Sequence, residues 1–175
     1  MSATPQIIQK KICMLGAYGV GKTSLVSRFV RSIFSEKYQT SVGVKIDKKT
    51  MRLGNTELGL ILWDLAGEDD FIQVKMSYLR GSSGYLLVAD GLRRPTLDKA
   101  IELQNRAEEE VGKLPFILLI NKLDLMEQWE ISESDIASLL STGWQVVATS
   151  AKTGVKVQET FLALSERMLE GESAD

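Results

Sequence analysis

Residues 16–24 read GAYGVGKTS, a glycine-rich stretch that ends in Lys, Thr and Ser. Gly16, four further residues and then Gly21-Lys22-Thr23 form the P-loop pattern. Glycines let backbone N–H groups curl around phosphate oxygens without Cβ clashes, and a following helix adds a dipole that favours an anion. The pattern lies between an apolar segment, KICMLG, and a segment with apolar residues at helical spacing. It therefore predicts a nucleotide phosphate site, in which Lys22 reaches the β- and γ-phosphates and Thr23 ligates Mg²⁺.

Length and composition are those of one compact soluble domain: 175 residues, 44% hydrophobic and 25% charged. The net charge of −2 favours no nucleic-acid partner. The single cysteine, Cys13, stands in the apolar stretch ICML, which predicts a buried structural thiol in a reducing, cytoplasmic compartment. The longest apolar run, FILLI at 116–120, is far shorter than the ~20 residues of a membrane span.

Lipid attachment is not expected, because residue 2 is Ser and the tail EGESAD has no cysteine. Short apolar runs alternate with segments of helical period, which predicts an α/β fold with a mainly parallel sheet. A hairpin is expected over 44–53 and 57–64, and later strands over 84–90, 115–122 and 144–150. Helices are expected from near Pro95, over 132–140 with Ser132 or Ser134 as cap, and at the end of the chain, with Val157, Phe161, Leu164 and Met168 facing the core.

A base-recognition motif, NKLD, follows the strand PFILLI directly. The Asp124 carboxylate accepts hydrogen bonds from both N1–H and the exocyclic amine of guanine, whereas adenine offers no such pair of donors. The aliphatic part of Lys122 is suited to lie along the base or the ribose. Without other motifs, NKLD would be explained by a surface turn. In a chain that also has a P-loop, NKLD predicts a guanine pocket.

With TSAKTG at 149–154 the chain resembles the Ras-like small GTPases over nearly its whole length. The resemblance rests on GAYGVGKT, the TSVG region, DLAG, NKLD and SAK, in that order. It implies a P-loop NTPase fold, with a six-stranded, mostly parallel sheet that has one antiparallel strand and helices on both faces. It places the GTPase domain at 10–170, between a flexible tail at 1–9 and a C-terminal tail at 171–175. The nucleotide-binding residues that it implies are Ala17, Tyr18, Gly19, Val20, Gly21, Lys22, Thr23, Ser24, Phe34, Tyr38, Ser41, Gly67, Asn121, Lys122, Asp124, Ser150, Ala151 and Lys152.

Within that family the chain is most similar to Rab-like members, because SVGVKI at 41–46 and SYLRG at 77–81 resemble Rab segments. The resemblance implies that Ile46, Trp63 and Tyr78 form a hydrophobic patch that reports the nucleotide state to effectors. It also implies exchange factors and GTPase-activating proteins as partners. Ile46 departs from the family, which has an aromatic residue there, and the Rab C-terminal cysteines are absent.

The resemblance assigns the switch residues as well. Ser41 takes the Mg²⁺-ligating position of switch I, where relatives carry Thr, and Thr40 is the alternative ligand if the register differs by one. Serine lacks the methyl group that stiffens χ1, so we expect a looser GTP-bound switch I. In switch II, Asp64 holds Mg²⁺ through water and the Gly67 N–H senses the γ-phosphate.

Glu68 stands where relatives carry the glutamine that orients the attacking water. Two like charges ~4 Å apart repel by ~4 kcal/mol at an effective dielectric of about 20, so a charged Glu68 beside the γ-phosphate is unfavourable. One hypothesis makes Glu68 a general base with a raised pKa. In the favoured hypothesis, Glu68 turns outward and the intrinsic rate of GTP hydrolysis is low. The ring of Tyr18 either crowds an arginine finger or lies on the surface without effect. Arg93 and Arg94 are more simply explained as surface charges than as arginine fingers supplied by the chain itself.

The motifs are compatible with three candidate functions. The leading one is a Mg²⁺-dependent GTP/GDP switch that hydrolyses GTP, with Lys22 and Glu68 as its catalytic residues. The second is a nucleotide-locked scaffold that binds GTP or GDP and hardly turns over. An ATP-dependent kinase on the same fold is disfavoured, because Asp124 would meet adenine without a pair of donors.

Overall fold

A computed structural model describes residues 7–32, 43–69 and 72–173. Six strands form one sheet: β1 Ile7–Gly16, β2 Val44–Leu53, β3 Thr56–Leu65, β4 Gly84–Asp90, β5 Phe116–Asn121 and β6 Val146–Ala148. Four α-helices accompany it: α1 Lys22–Arg31, α2 Arg94–Val111, α3 Glu133–Ser141 and α4 Val157–Ser173. Two 3₁₀ segments span Met76–Leu79 and Leu123–Gln128. The strand order is β2-β3-β1-β4-β5-β6, and only the β2–β3 pair is antiparallel. The predicted α/β architecture is confirmed.

The central strands contain long apolar runs because both faces of the sheet are covered. In β1, Ile12 and Met14 pack into the layer that contains α1 and α4, whereas Cys13 and Leu15 pack into the layer of α2. All four side chains are at most 1% exposed. Between α1 and α4, the Phe29 and Phe161 rings stack with their centroids 3.9 Å apart.

The predicted helix signals are confirmed. Ser132 caps α3: its hydroxyl accepts from the Asp135 N–H, and the Asp135 carboxylate accepts from the Ser132 N–H, which completes a capping box. Pro95 lies in the first turn of α2. The apolar stripe of α4 is buried in the core, with Val157, Phe161, Leu164 and Met168 all at most 3% exposed.

Three boundaries differ from the predictions. Strand β1 begins at Ile7, inside the segment expected to be a flexible tail, because residues 7–10 pair in parallel with residues 57–60 of β3. Strand β6 has only three residues, since its pairing with β5 is limited to Val146–Ala148. Helix α4 continues to Ser173, past the predicted end of the domain at 170.

Cys13 is a free, buried thiol, as predicted. Its sulfur lies 3.2 Å from the Ser82 hydroxyl, and burial raises the pKa of the thiol. In the part of the chain that the structure describes, no helix has both the length and the apolar character needed to cross a membrane.

Candidate nucleotide-binding site

The candidate site forms at one edge of the sheet, where the carboxyl ends of the parallel strands β3, β1, β4 and β5 meet. Strand β1 ends in the P-loop, β3 delivers Asp64, and β5 ends at Asn121. The sheet order places β1 between β3 and β4, and β4 beside β5. Motifs that are more than 100 residues apart in sequence therefore converge, as expected for a ligand site in an open α/β sheet.

The P-loop depends on two glycines with positive φ, 79° at Gly19 and 103° at Gly21. The side chains of Ala17, Val20, Lys22 and Thr23 are buried, and Ser24 is half-buried. The ammonium of Lys22 lies within the loop and donates to the carbonyls of Gly16, at 3.3 Å, and Ala17, at 3.1 Å. Burial lowers the pKa of Lys22 to about 8. A phosphate in the loop would offset this loss of hydration with an opposite charge.

The metal side of the site joins α1 to β3. The Thr23 hydroxyl donates to Asp64 Oδ2 over 2.6 Å, and the Asp64 side chain is buried. A hydroxyl oxygen beside a carboxylate is a set of hard oxygen donors, which suits Mg²⁺. The two residues that were separately assigned to Mg²⁺ thus lie within hydrogen-bond distance of each other.

The guanine side is connected to the P-loop through Asn121. Its Nδ2 donates to the carbonyl of Val20 over 3.0 Å, and its Oδ1 accepts from the Ala151 N–H over 3.2 Å. A Cβ at Gly21 would overlap Asn121 Nδ2, so only glycine allows this approach. The Ala151 N–H, which the resemblance assigns to the guanine carbonyl, must be shared with Asn121 or exchanged for the base.

Asp124 lies at the mouth of this pocket. Its Oδ1 accepts from the Ser150 hydroxyl over 2.8 Å, and the residue is otherwise exposed. Lys122, which has a φ of 75°, extends its ammonium to within 2.8 Å of Asp90 Oδ2. The Lys152 side chain is exposed, and its carbonyl accepts from the Arg28 guanidinium of α1. Asn121, Asp124, Ser150 and Ala151 thus lie together, as the motifs predict.

Four predicted switch I residues, Phe34, Tyr38, Thr40 and Ser41, lie outside the described residues. The three residues of the predicted effector patch do lie together. Ile46 on β2 is the register partner of Trp63 on β3, and the Trp63 and Tyr78 rings are 6.3 Å apart. Ile46 and Tyr78 are 50% and 38% exposed, so their apolar surface is open to contact. The Lys11 ammonium lies 3.6 Å from the centre of the Trp63 ring.

Glu68 is placed differently from the prediction. It does not turn outward; the residue is 4% exposed. Its Oε1 lies 2.7 Å from Arg106 Nη1 on α2, and its Oε2 accepts from the Val74 N–H over 2.8 Å. Lys99, also on α2, lies 3.7 Å from Oε1. The two predicted positions of Glu68, at the γ-phosphate or in water, both left out a cationic partner on α2. Together with the Val74 N–H, Arg106 gives each oxygen of the buried carboxylate a hydrogen-bond donor.

The backbone of switch II is tied to the P-loop at the same place. The Glu68 N–H donates to the Gly16 carbonyl over 3.1 Å, and the Tyr18 N–H donates to the Glu68 carbonyl over 2.8 Å. Gly67 packs so closely that an added Cβ would lie 2.5 Å from Tyr18 Cα. The Tyr18 ring itself is on the surface, at 41% exposure. We call this arrangement, with Glu68 bound to α2 and to the P-loop, docked switch II.

Arg93 is exposed at the surface, as favoured, but it makes two contacts that the sequence did not predict. Its Nε lies 3.0 Å from Asp90 Oδ2, and its Nη2 donates to the Tyr18 carbonyl over 2.9 Å. Asp90, an acid at the end of the apolar run GYLLVAD, was the signal that could have indicated a buried carboxylate with a cationic partner. Arg94, in contrast, pairs with Asp98 and Asp135 away from the P-loop, as a surface charge should.

Comparisons with known proteins agree with this geometry. The model of the Ras family matches residues 11–170. The chain is 32% identical over 168 residues to the Ras-related protein Rab-12 of Mus musculus, covering 94% of this chain and 69% of the relative. It is 32% identical over 167 residues to the Ras-related protein Rab-31 of Rattus norvegicus, covering 93% and 84%. With Rab-1 of Theileria parva it shares 30% over 161 residues, covering 90% and 73%. The chain therefore belongs to the Ras family of small GTPases, and it is Rab-like.

Proposed function

We propose that this chain is a Mg²⁺-dependent GTP/GDP switch whose G domain includes residues 10–170. The single observation that carries the proposal is the position of Asn121. Its side chain hydrogen-bonds both Val20 of the P-loop and Ala151 of the SAK motif, so that the phosphate and guanine halves form one continuous site. Asp124, 2.8 Å from the Ser150 hydroxyl at the pocket mouth, then selects guanine by accepting from N1–H and the exocyclic amine.

The Thr23 hydroxyl and, through water, Asp64 would hold Mg²⁺, with Ser41 as the switch I ligand. Bound Mg²⁺ would neutralise phosphate oxygens and stabilise the charge that develops on the leaving group. The 2.6 Å hydrogen bond from Thr23 to Asp64 supports this assignment, because it brings a hydroxyl oxygen and a carboxylate together beside the P-loop. Lys22 supplies the remaining positive charge at the β- and γ-phosphates.

The intrinsic rate of hydrolysis is low in this proposal. Glutamine at position 68 both accepts from and donates to its surroundings, whereas an ionised glutamate only accepts. The Glu68 carboxylate is moreover bound to Arg106 and to the Val74 N–H, so it must first leave α2 before it can orient a water molecule. The same contacts favour a second candidate function, a nucleotide-locked scaffold with negligible turnover.

Effectors, an exchange factor and a GTPase-activating protein are the proposed protein partners. The patch of Ile46, Trp63 and Tyr78 supports an effector surface, because it combines exposed apolar side chains with strands next to both switches. The buried free thiol of Cys13 is consistent with a cytoplasmic location. Guanine nucleotide is the proposed small-molecule partner.

One binding experiment tests the proposal. The nucleotide that copurifies with the protein is identified, and GTP, GDP and ATP then compete for the purified chain. We expect GTP and GDP to bind at least 100-fold more tightly than ATP, and Asp124→Ala to remove most of this preference, since a buried polar match of this kind discriminates by about 10⁴ or more. Equal affinity for ATP would contradict the proposal. Incubation with Mg²⁺ over hours separates the candidates: the switch converts GTP to GDP, and the scaffold leaves it intact.

A further inference from the structure

The inference concerns Asp90, a buried carboxylate between the two halves of the nucleotide site. Asp90 ends β4 and is 1% exposed. Its Oδ1 accepts from the Leu92 N–H over 2.9 Å. Its Oδ2 receives two cations, Lys122 Nζ at 2.8 Å and Arg93 Nε at 3.0 Å. Lys122 belongs to the guanine motif NKLD, so this one carboxylate joins that motif to Arg93.

Arg93 carries the connection on to the P-loop. While its Nε is held by Asp90, its Nη2 donates to the Tyr18 carbonyl over 2.9 Å. The peptide between Tyr18 and Gly19 is trans, as are all peptides of the described residues. In a trans peptide the C=O and the following N–H point in opposite directions, so binding the Tyr18 carbonyl also fixes the direction of the Gly19 N–H. That N–H points away from Arg93.

Gly19 is a residue whose peptide needs such restraint. Its φ of 79° lies in the left-handed region, and glycine has more backbone freedom than any other residue. A charge-assisted hydrogen bond on the Tyr18 carbonyl limits that freedom and also polarises the peptide, which makes the N–H a better donor to an anion. The positive charge of Arg93 reaches the phosphate site as well: burial is the main cause that lowers the pKa of Lys22, and Arg93 lowers it further.

We propose that Arg93 is a positioning residue for phosphate binding, which orients the Gly19 N–H toward the nucleotide phosphates and is itself held by Asp90. The same oxygen of Asp90 also binds the ammonium of Lys122 from the guanine motif. The inference rests on the proposed guanine-nucleotide site and adds a residue that none of the five motifs contains. Arginine is needed because its planar fork binds Asp90 and the Tyr18 carbonyl at the same time, whereas a lysine ammonium has a single nitrogen for both.

The adjacent arginine provides a matched control. Arg94 has the same charge and lies one residue further along, but its guanidinium pairs with Asp98 at 2.7 Å and with Asp135 at 3.1 Å. Arg94→Ala therefore removes an equal charge and surface ion pairs without touching the P-loop. Any effect that comes only from net charge or from the start of α2 is shared by the two alanine variants.

The test compares wild type, Arg93→Ala, Arg93→Lys and Arg94→Ala. Dissociation of fluorescently labelled GDP is measured in Mg²⁺, and the affinity for guanosine, which has no phosphates, is measured by competition. We expect Arg93→Ala to release GDP about tenfold faster, as the loss of one charge-assisted hydrogen bond implies, with guanosine affinity unchanged. We expect Arg93→Lys to release GDP at a rate between those of the wild type and Arg93→Ala. The β-phosphate resonance of bound GDP in ³¹P NMR shifts in Arg93→Ala and stays in place in Arg94→Ala.

Two results would overturn the inference alone: GDP release from Arg93→Ala at the rate of Arg94→Ala, or an equal loss of GDP and guanosine affinity in Arg93→Ala. The second result would mean that Arg93 only holds the fold together. If Arg93→Ala does not fold, the inference is tested with Arg93→Lys. GDP release at the wild-type rate and a wild-type ³¹P spectrum in that variant would contradict the need to bind Asp90 and the Tyr18 carbonyl at the same time. A wild-type chain that bound no guanine nucleotide would instead overturn the proposed function, and the inference with it.

Discussion

Glu68→Gln is the substitution that tests docked switch II most directly. The carboxylate accepts from Arg106 Nη1 at 2.7 Å with one oxygen and from the Val74 N–H at 2.8 Å with the other. Glutamine has one carbonyl oxygen, so it can accept from only one of these donors, and its amide N–H₂ then faces the other. At least one hydrogen bond to a charged group is lost, which costs about 1.5–3 kcal/mol.

This loss sets the size of the expected effect. Each 1.4 kcal/mol is about a tenfold change in an equilibrium constant, so docked switch II becomes roughly 10- to 100-fold less populated relative to released forms. The Arg106 side chain is 20% exposed and regains some hydration, which favours the lower end of that range. We therefore expect a tenfold or larger increase in the rate of GTP hydrolysis, because glutamine is also the residue that can orient water.

Single-turnover hydrolysis of GTP, with protein in excess and Mg²⁺ present, measures this rate. Glu102→Gln is the matched control: Glu102 is also on α2 and contacts both Lys99 and Arg106, but its side chain is 52% exposed. We expect the control to hydrolyse GTP at the wild-type rate. A tenfold loss in Glu68→Gln would show that Glu68 is catalytic. Equal rates in the two variants would show that the contacts of Glu68 do not restrain the switch.

Three further substitutions test the site and the fold. Thr23→Ala removes the hydroxyl beside Asp64, so Mg²⁺ should cease to slow GDP release, whereas EDTA should speed release from the wild type; a GDP release assay with and without the chelator measures both. Ser132→Ala removes the cap of α3 and should lower the free energy of unfolding by about 1 kcal/mol in urea denaturation, with nucleotide binding unchanged. Phe161→Ala removes a ring stacked on Phe29 and should cost about 3–5 kcal/mol in the same assay; a cost below 1 kcal/mol would contradict the packing of α1 on α4.

Features that depend on neighbouring residues could be read from the sequence. The β2–β3 hairpin and β4 match their predicted bounds to within one residue, because alternation, apolar runs and the GNT turn are local signals. The P-loop and NKLD motifs could be assigned for the same reason. Their convergence followed from a general property of parallel sheets, in which the carboxyl ends of the strands share one edge.

Features that depend on residues far apart in the sequence could not be predicted. Arg106 lies 38 residues after Glu68, in the segment NRAEEE, which has the composition of a solvated helix face. No spacing rule connects the two, so the sequence indicated a charge without its counterion. The start of β1 is a second example, since Ile7 pairs with Glu57 of β3, which is fifty residues away in the sequence.

The two backbone hydrogen bonds between switch II and the P-loop give the position of the switch a direct experimental signature. They are donated by the amides of Tyr18 and Glu68, to the carbonyls of Glu68 and Gly16. An amide that donates within the protein exchanges its hydrogen with solvent only when that contact opens. Exchange at these two amides therefore reports the time that switch II spends released, in each nucleotide state and without any added label. The ratio of their protection factors between Glu68→Gln and the wild type gives the free energy by which one carboxylate holds the switch in place.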